Sequence, residues 1–414
     1  MMVRNALLAS LALLLAAPAV HAQDSSFSRI EQGRRLVDAA DCVSCHTSDK
    51  SKPFAGGRGI DTPFGVIYAP NITPDRETGI GAWSDDDFYR ALHHGQRPDG
   101  ARLYPAMPYP YFTKMTRDDV DAMRAFLKTL PAVRTLPREN ELIWPLGYRV
   151  FMRGWNMLFF TEGTFQPNPD KSEEWNRGAY LVEGPGHCGA CHTPKNIFGA
   201  DKNSQALQGG LIRDWFAPNI ANTVQDGVGR WSIDDLVEYL KTGRNAHSGA
   251  VGLMAEVVEN STSKLPEADL RAMAVYLKDA DGGGEPAAPS KPDDKMMTVG
   301  RAIYNDMCAA CHKTDGTGVP RMFSPLAGNA NVQQRDPTTV SRVILEGARI
   351  APTDAMPTPF AMPAFDWKLT DAQIAAVATY VRNAWGNAAS SVTAGSVETL
   401  RDSLHQSRVS GKAE

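Results

Sequence analysis

All six cysteines of this 414-residue chain lie in one repeated pattern. The pattern is Cys-x-x-Cys-His, and it occurs as Cys42-Val43-Ser44-Cys45-His46, Cys188-Gly189-Ala190-Cys191-His192 and Cys308-Ala309-Ala310-Cys311-His312. Two thiols at this spacing can add to the two vinyl groups of a haem, and the next histidine then lies under the iron as its proximal ligand. A zinc site or a redox-active thiol pair does not require that histidine three times. The pattern therefore predicts three covalently bound haem c groups, with His46, His192 and His312 as iron ligands.

The opposite face of each iron needs a second ligand, and methionine there gives a high-potential electron carrier, whereas an open face permits catalysis. Met107 and Met362 both lie in an Ala-Met-Pro sequence, where the proline stiffens a loop just before a closing helix. Met254 follows His192 at nearly the distance at which Met107 follows His46. We predict Met107, Met254 and Met362 as the second ligands. Met356 in the third segment and His247 in the second are open alternatives.

The elements that must position these groups repeat along the chain. Each motif is preceded by a short helical lead-in with glycine, at Gly33, Gly178 and Gly300. Ala69-Pro70-Asn71-Ile72 recurs as Ala217-Pro218-Asn219-Ile220, and Trp-Ser pairs open capping boxes at Ser84 and Ser232. Each segment ends in an apolar stripe of helical period: Val120, Met123 and Leu127; Leu270, Met273 and Leu277; Ile374, Val377 and Val381. Thr116 and Thr370 are predicted to cap two of these helices.

The repeats predict a mainly α fold of three tandem class I cytochrome c-like helical domains joined by linkers. The expected order is a signal peptide 1–22, domain one 23–133, a connector 134–172, domain two 173–279, a Gly/Pro linker 280–294, domain three 295–387 and a polar tail 388–414. The connector is rich in aromatic residues. It is expected to pack as a strap over domains one and two, and a docking surface for a partner or membrane is the alternative.

Composition restricts the cellular context. Arg4, an apolar run from Ala6 to Ala17 and the small residues around Ala22 predict a secretory signal that is cleaved near Ala22. The run is short for a membrane span, although an uncleaved anchor is an alternative. No later stretch is both long and uninterrupted enough to cross a bilayer. The formal net charge of −4 gives no basic footprint for nucleic acid, which is excluded as a partner.

With these residues in view, the chain resembles the trihaem cytochrome c subunits of membrane-bound bacterial dehydrogenases that act on alcohols, aldehydes, gluconate or sorbitol. The resemblance covers nearly the whole mature chain. It is most specific in the segment from Trp175-Asn176-Arg177-Gly178 to His192-Thr193-Pro194. Three further segments also resemble the family: Ala69-Pro70-Asn71-Ile72-Thr73-Pro74, Tyr104-Pro105-Ala106-Met107-Pro108, and Gly154-Trp155-Asn156 in the connector.

The resemblance implies a periplasmic electron-transfer subunit on the bacterial inner membrane. A catalytic subunit with flavin, pyrroloquinoline quinone or molybdenum would supply the electrons, and ubiquinone or a terminal oxidase would accept them. Family members often attach to the membrane surface through a C-terminal amphipathic segment. Here Val397, Leu400 and Leu404 make only a short stripe, and a disordered tail is the alternative.

No acid–base constellation is recognisable, so no catalytic residue is assigned. The expected function is a relay through three haem c groups. Two alternatives remain: a multihaem enzyme of the peroxidase or nitrite-reductase type, if one iron lacks its methionine, and a cytochrome subunit that feeds an oxidase directly.

Overall fold

The computed structural model describes residues 18–284, 289 and 291–409. Most of the predicted signal, part of the Gly/Pro linker and the last five residues lie outside the described residues. Within them the chain is mainly helical, with three tandem helical units that each contain one Cys-x-x-Cys-His motif, so the predicted fold class is confirmed. Each unit has its own buried apolar core.

The first unit combines five helices with a small sheet. Its elements are α1 (Pro18–Ala39), α2 (Cys42–Cys45), β1 (Gly59–Thr62), β2 (Gly65–Tyr68), α3 (Asp85–His94), α4 (Tyr109–Phe112) and α5 (Arg117–Leu127). In the connector, β3 (Glu141–Leu142) adds to β2 as a third antiparallel strand, and α6 (Phe151–Phe159) follows. The connector therefore begins as part of the first unit's sheet.

The second unit repeats this order. Its elements are α7 (Glu173–Glu183), α8 (Gly189–His192), β4 (Gln208–Ile212), β5 (Trp215–Asn219), α9 (Ile233–Thr242), α10 (Leu253–Asn260) and α11 (Glu267–Leu277). The strands β4 and β5 form an antiparallel hairpin with Ile212 opposite Trp215. The hairpin of the first unit, β1 with β2, occupies the same place in the element order, which agrees with the sequence repeat.

The third unit is followed by a further helix. Its elements are α12 (Asp294–Met307), α13 (Ala309–His312), α14 (Thr338–Glu346), β6 (Ala348–Arg349), β7 (Ala361–Met362) and α15 (Asp371–Asn383), and α16 (Ala394–Val409) comes after them. The predicted caps are present: Thr116 accepts from the Asp119 amide, and Thr370 and Gln373 form a capping box. Ser84 and Ser232 form the other two boxes. All nine residues of the closing stripes are buried, which confirms that these stripes are core.

The first and last helices of each unit cross at a glycine. A Cβ at Gly33 or Gly178 would lie 1.9 Å from a backbone oxygen of the partner helix, and a Cβ at Gly300 would lie 2.2 Å from one. No side chain fits at that separation, so the helices can cross this closely only at glycine. The lead-in glycines are therefore packing residues, and they fix the direction in which each chain enters its motif.

The connector is partly packed and partly exposed. Met152 and Asn156 on α6 are buried, and Tyr109 donates a 2.5 Å hydrogen bond to the Asn156 side chain. On the outer side, Trp144 is 84% exposed and Met157 82% exposed. The strap prediction thus describes one side of this segment, while the other side presents large apolar side chains to solvent.

The apolar stripe of the C-terminal segment has an internal partner. Val397, Leu400 and Leu404 lie on α16 and are buried in the core of the third unit. Arg401 donates to the Asp371 carboxylate and to the backbone oxygens of Asp366 and Leu369, which precede α15. The segment expected as a polar tail therefore contains a packed helix, and the alternative of a disordered tail does not hold for residues 394–409. None of the helices in the described part of the chain is long and apolar enough to span a membrane.

Candidate haem-binding sites

Each Cys-x-x-Cys-His motif forms a single helical turn. The turn is Cys42–Cys45 in the first unit, and it runs Gly189–His192 and Ala309–His312 in the other two, directly after the first cysteine. Residues three apart on a helix share one face, so both thiols of a motif point to the same side. No disulfide bond joins any of the six cysteines. This is the arrangement that two thioether bonds to one haem require.

A backbone carbonyl orients each motif histidine. His46 Nδ1 lies 2.7 Å from Pro70 O, His192 Nδ1 lies 2.7 Å from Pro218 O, and His312 Nδ1 lies 3.0 Å from Ser324 O. A carbonyl oxygen can only accept, so Nδ1 is the protonated nitrogen and donates in each case. Nε2 is then left with its lone pair available for iron. The same side-chain geometry occurs three times, which supports the assignment of His46, His192 and His312 as ligands.

Burial sets the protonation of these groups. It lowers the pKa of His46, His192 and His312, which favours the neutral imidazole that binds iron. Burial also raises the pKa of the Cys45 and Cys188 thiols to about 12 and that of Cys308 to about 11. Such sites disfavour the thiolates that a structural zinc ion requires, and they suit the uncharged thioethers of haem c. The residues present therefore fit haem better than a zinc ion.

Each predicted methionine packs against the core that also contacts its own motif. Met107 and Cys42 contact the first core, Met254 and Cys188 the second, and Met362 and Cys308 the third. Met254 is the second residue of α10. That helix begins after Gly252, whose φ of +55° and whose contact with the Trp215 ring leave no room for a Cβ. This placement supports the methionine ligands, which remain a prediction.

The alternative ligands are placed differently. His247 Nε2 lies 3.3 Å from Asp235, and its ring stacks on Trp231. Met356 pairs with Thr353 in a short bridge and is absent from the described residues that pack against the third core.

His187 has a φ of +38° and stacks on Phe112 of the first unit, so it serves the interface between units. His93 and His94 are the last two residues of α3, and the His93 side chain is buried.

The orienting carbonyls were not identified from the sequence. The repeated Ala-Pro-Asn-Ile sequence marks two of them, because the carbonyl of Pro70 or Pro218 is the acceptor in each repeat. The next residue, Asn71 or Asn219, holds the loop by accepting a backbone amide two residues on. Ser324 lies in Phe323-Ser324-Pro325, which shares no such sequence, and its role followed only from the structure.

The three motifs differ in exposure. His46 is 9% exposed and His192 8% exposed, whereas His312 is half-buried and Cys311 is exposed to solvent. The third motif therefore lies nearer the surface than the other two.

Tandem helical units with these motif turns define a c-type cytochrome. The family model described as "Cytochrome c" matches residues 30–131 and 297–385. The chain is 41% identical to the cytochrome c subunit of the quinone alcohol dehydrogenase of Gluconobacter oxydans (strain 621H), over 92% of this chain and 84% of that protein. It is 40% identical to the gluconate 2-dehydrogenase cytochrome c subunit of Pantoea cypripedii, over 90% of this chain and 89% of that protein.

A third relative is the fructose dehydrogenase cytochrome subunit of Gluconobacter japonicus, 39% identical over 90% of this chain and 82% of that protein. At these identities and coverages, the chain belongs to the family of cytochrome c subunits of bacterial dehydrogenases. It is a haem c-carrying electron-transfer protein.

Proposed function

We propose that this protein is the electron-transfer subunit of a periplasmic, membrane-associated dehydrogenase and that it carries three haem c groups. Electrons would enter from a catalytic subunit of the flavin, pyrroloquinoline quinone or molybdenum type and leave to ubiquinone or a terminal oxidase. The observation that carries the proposal is the threefold recurrence of a motif turn whose histidine donates through Nδ1 to a backbone carbonyl. When bound, each haem supplies an iron that changes its charge by one electron.

The residues of the chain position the motifs and methionines, bury the first two motif histidines and join the units. With Met107, Met254 and Met362 as second ligands, the haem irons would have no open position for a substrate, which favours electron transfer over small-molecule catalysis. The relatives named above are themselves cytochrome subunits of dehydrogenases, and this similarity supports a catalytic dehydrogenase partner.

Direct contacts connect the motif regions of the first and second units. The Asn260 side chain at the end of α10 donates a 2.9 Å hydrogen bond to Ser44, which lies between the two cysteines of the first motif. Arg58 pairs with Glu256 on the same helix. Since α10 also carries Met254, one helix contacts both sites, and this placement supports electron exchange between them.

The second and third units are joined in a similar way. The amide of Asn219, directly after the carbonyl that orients His192, donates a 3.0 Å hydrogen bond to Gln334 Oε1. Asn329 donates through its side chain to His247 O at 3.0 Å. These contacts support one relay through the whole chain.

The haem number can be counted directly. The purified protein is expected to give three haems per chain in an alkaline pyridine assay that is normalised to protein by amino-acid analysis. A Cys308→Ala/Cys311→Ala variant should give two, and a Met356→Leu variant should keep three. A wild-type value of two would contradict the proposal of three haems.

The partner can be tested with tagged protein isolated from the membranes of the native host. We expect a flavin, pyrroloquinoline quinone or molybdenum dehydrogenase to co-purify in near-equal amount and to reduce the cytochrome when its substrate is added. Recovery of the cytochrome alone, or with an oxidase only, would contradict the dehydrogenase-subunit proposal and leave the haem count standing.

A further inference from the structure

Two histidines and a glutamate converge at a point that haem binding does not use. His93 and His94 end α3, and Glu162 follows α6 in the connector. One ligand atom from each lies within 4.8 Å of the other two. His94 Nδ1 is 2.7 Å from one carboxylate oxygen of Glu162, and His93 Nε2 is 3.9 Å from the other. Two imidazoles thus share the two oxygens of a single carboxylate.

The surroundings direct the His93 ring toward this point. His93 is buried, and its Nδ1 has no hydrogen-bond partner in the described part of the chain. Tyr89 stacks on the His93 ring at 4.8 Å and meets the His94 ring edge-on at 5.8 Å. Nε2, which faces Glu162, is therefore the ring nitrogen of His93 that has a polar neighbour. Burial and the neighbouring His94 lower the pKa of His93, although Glu162 opposes the shift, and a lowered pKa favours the neutral imidazole that metal ions bind.

We propose that His93, His94 and Glu162 form a binding site for a divalent transition-metal ion of the zinc class. Two imidazole nitrogens and one carboxylate oxygen are a ligand set that Zn²⁺ favours, and water completes the coordination in open sites. Bonds of about 2.1 Å in tetrahedral geometry place neighbouring ligand atoms about 3.4 Å apart. The observed separations of 2.7 and 3.9 Å lie on either side of that value. Each histidine approaches a different oxygen of Glu162, so side-chain rotation must bring the three ligand atoms around one ion.

The ion would link two parts of the chain. Glu162 belongs to the connector, whereas the histidines belong to the first unit. The connector is already held nearby, because Gly163 N donates to Thr113 Oγ1 at 3.1 Å and Phe165 N donates to Lys114 O at 2.9 Å. A metal at this point would therefore clamp the segment that leads from the first unit to the second. Half-exposed His94 and Glu162 leave a route for the ion from solvent.

The second unit offers a matched control. His247 lies 3.3 Å from Asp235 and is a histidine–carboxylate pair without a second imidazole. An ordinary ion pair and a metal site therefore make different predictions. If a histidine beside a carboxylate were sufficient, both places would bind zinc. If convergence of three ligands is required, only the first place binds.

The test uses tag-free, haem-loaded protein that has been treated with chelator and then dialysed against buffered Zn²⁺. Zinc per chain is measured by mass spectrometry, which distinguishes it from iron. We expect one zinc site in the wild type, an affinity at least about tenfold weaker in His94→Ala and in Glu162→Gln, and no loss in His247→Ala. Equal zinc binding by the wild type and the His94→Ala variant would overturn the proposal, and so would an equal loss in His247→Ala.

Hydrogen exchange gives a second measurement that does not rely on counting bound metal. Zn²⁺ is expected to slow amide exchange at residues 160–165 in the wild type, because the clamp restrains the connector, and to leave it unchanged in Glu162→Gln. Zinc binding without this protection in the wild type would overturn the clamp. His94 is 32% and Glu162 48% exposed, so both variants are expected to fold.

Discussion

At the scale of the residue, the haem chemistry depends on how each imidazole is held. A histidine after a Cys-x-x-Cys pair can present either nitrogen, and a carbonyl acceptor for Nδ1 leaves Nε2 for the iron. The same device occurs in all three units, although only two of them share the Ala-Pro-Asn-Ile sequence that supplies the carbonyl. The orientation of each motif histidine therefore depends on a hydrogen bond from its side chain to a backbone carbonyl.

Met254 provides a decisive test of the second site. Leucine has a similar volume but no sulfur, so Met254→Leu should remove one of three methionine–iron bonds and lower the reduction potential of that haem. We expect the methionine–iron absorption of the oxidised protein to fall by about a third, as measured by near-infrared spectroscopy with a redox titration. Met356→Leu should leave both measurements unchanged. An unchanged spectrum in Met254→Leu would exclude Met254 as a ligand.

Asp41, directly before the first motif, predicts a pH dependence of stability. Burial raises its pKa from 3.8 to about 8, although a hydrogen bond from Ser44 opposes the shift. Between these values the unfolded chain loses the proton that the folded protein keeps, so the contribution of Asp41 to stability is largest below pH 4 and is lost as the pH rises toward 8. Asp41→Asn, which suits the φ of +47° at this position, should flatten this decline. Urea unfolding of the wild type and of Asp41→Asn from pH 4 to 9 gives the free energy of unfolding as a function of pH. An equal slope in Asp41→Asn would contradict the assignment, and exposed Asp354→Asn serves as the control.

At the scale of the element, a glycine crossing joins the first and last helices in every unit. The crossing brings backbone against backbone, and the motif turn follows directly from the first helix. Positions that sequence comparison marks only as repeated glycines therefore determine where the thiols and the histidine lie.

The crossing of α7 with α11 can be tested at Gly178. A methyl group there would lie 1.9 Å from Ala272 O, so Gly178→Ala must separate the helices and should destabilise the protein by about 1–3 kcal/mol. Gly154→Ala in α6 is the matched control, because a Cβ there meets nothing within 4 Å. Helix propensity alone favours alanine at both positions. In denaturant unfolding, the free energy of unfolding should therefore fall in Gly178→Ala and rise in Gly154→Ala. A change of the same sign in both variants would refute the steric role of Gly178.

The C-terminal helix α16 yields a second prediction at this scale. Val397 is fully buried against the third core, so Val397→Asp places a carboxylate where it has no solvent and should destabilise the third unit by several kcal/mol. The neighbouring exposed Glu398→Lys should have little effect. Limited proteolysis followed by mass spectrometry locates the unfolding. If α16 served mainly to bind a membrane, Val397→Asp would instead reduce vesicle binding and leave protease resistance unchanged.

At the scale of the whole molecule, the three units are held together by polar contacts near their motifs. Arg58 donates to both oxygens of Glu256, and one of these hydrogen bonds is 2.9 Å long. Both side chains are about two-thirds buried or more. Charge-assisted pairs with two hydrogen bonds fix geometry more strongly than single ones, so this pair sets how the first two units meet.

A double-mutant cycle on Arg58→Ala and Glu256→Ala should give a coupling energy of about 1 kcal/mol, since partial burial reduces solvent screening. Arg134 with Glu77 is a suitable comparison, because both side chains are 71% exposed and the coupling should not be measurable. The readout is thermal unfolding of the haem-loaded protein at low and high salt. Equal coupling for the two pairs would contradict the interface role of Arg58 and Glu256.

The sequence alone determined the fold class and identified the Cys-x-x-Cys-His motifs of a c-type cytochrome. The Cys-x-x-Cys-His spacing is local, because two thiols and an imidazole must meet one cofactor within a single helical turn. The closing helices were predictable for a similar reason: the apolar period and the Thr and Ser caps are properties of a short segment.

Only the tertiary structure decided what joins distant segments. The carbonyl that accepts from His312, the burial of the Val397 stripe and the convergence of His93, His94 and Glu162 all depend on groups that the folded chain brings together from separate segments. No sequence periodicity predicts such contacts, since they depend on how helices pack and on the path of the loops between them. Export and the signal cleavage remain predictions from composition. The sequence thus specifies the reactive groups, and packing specifies their neighbours.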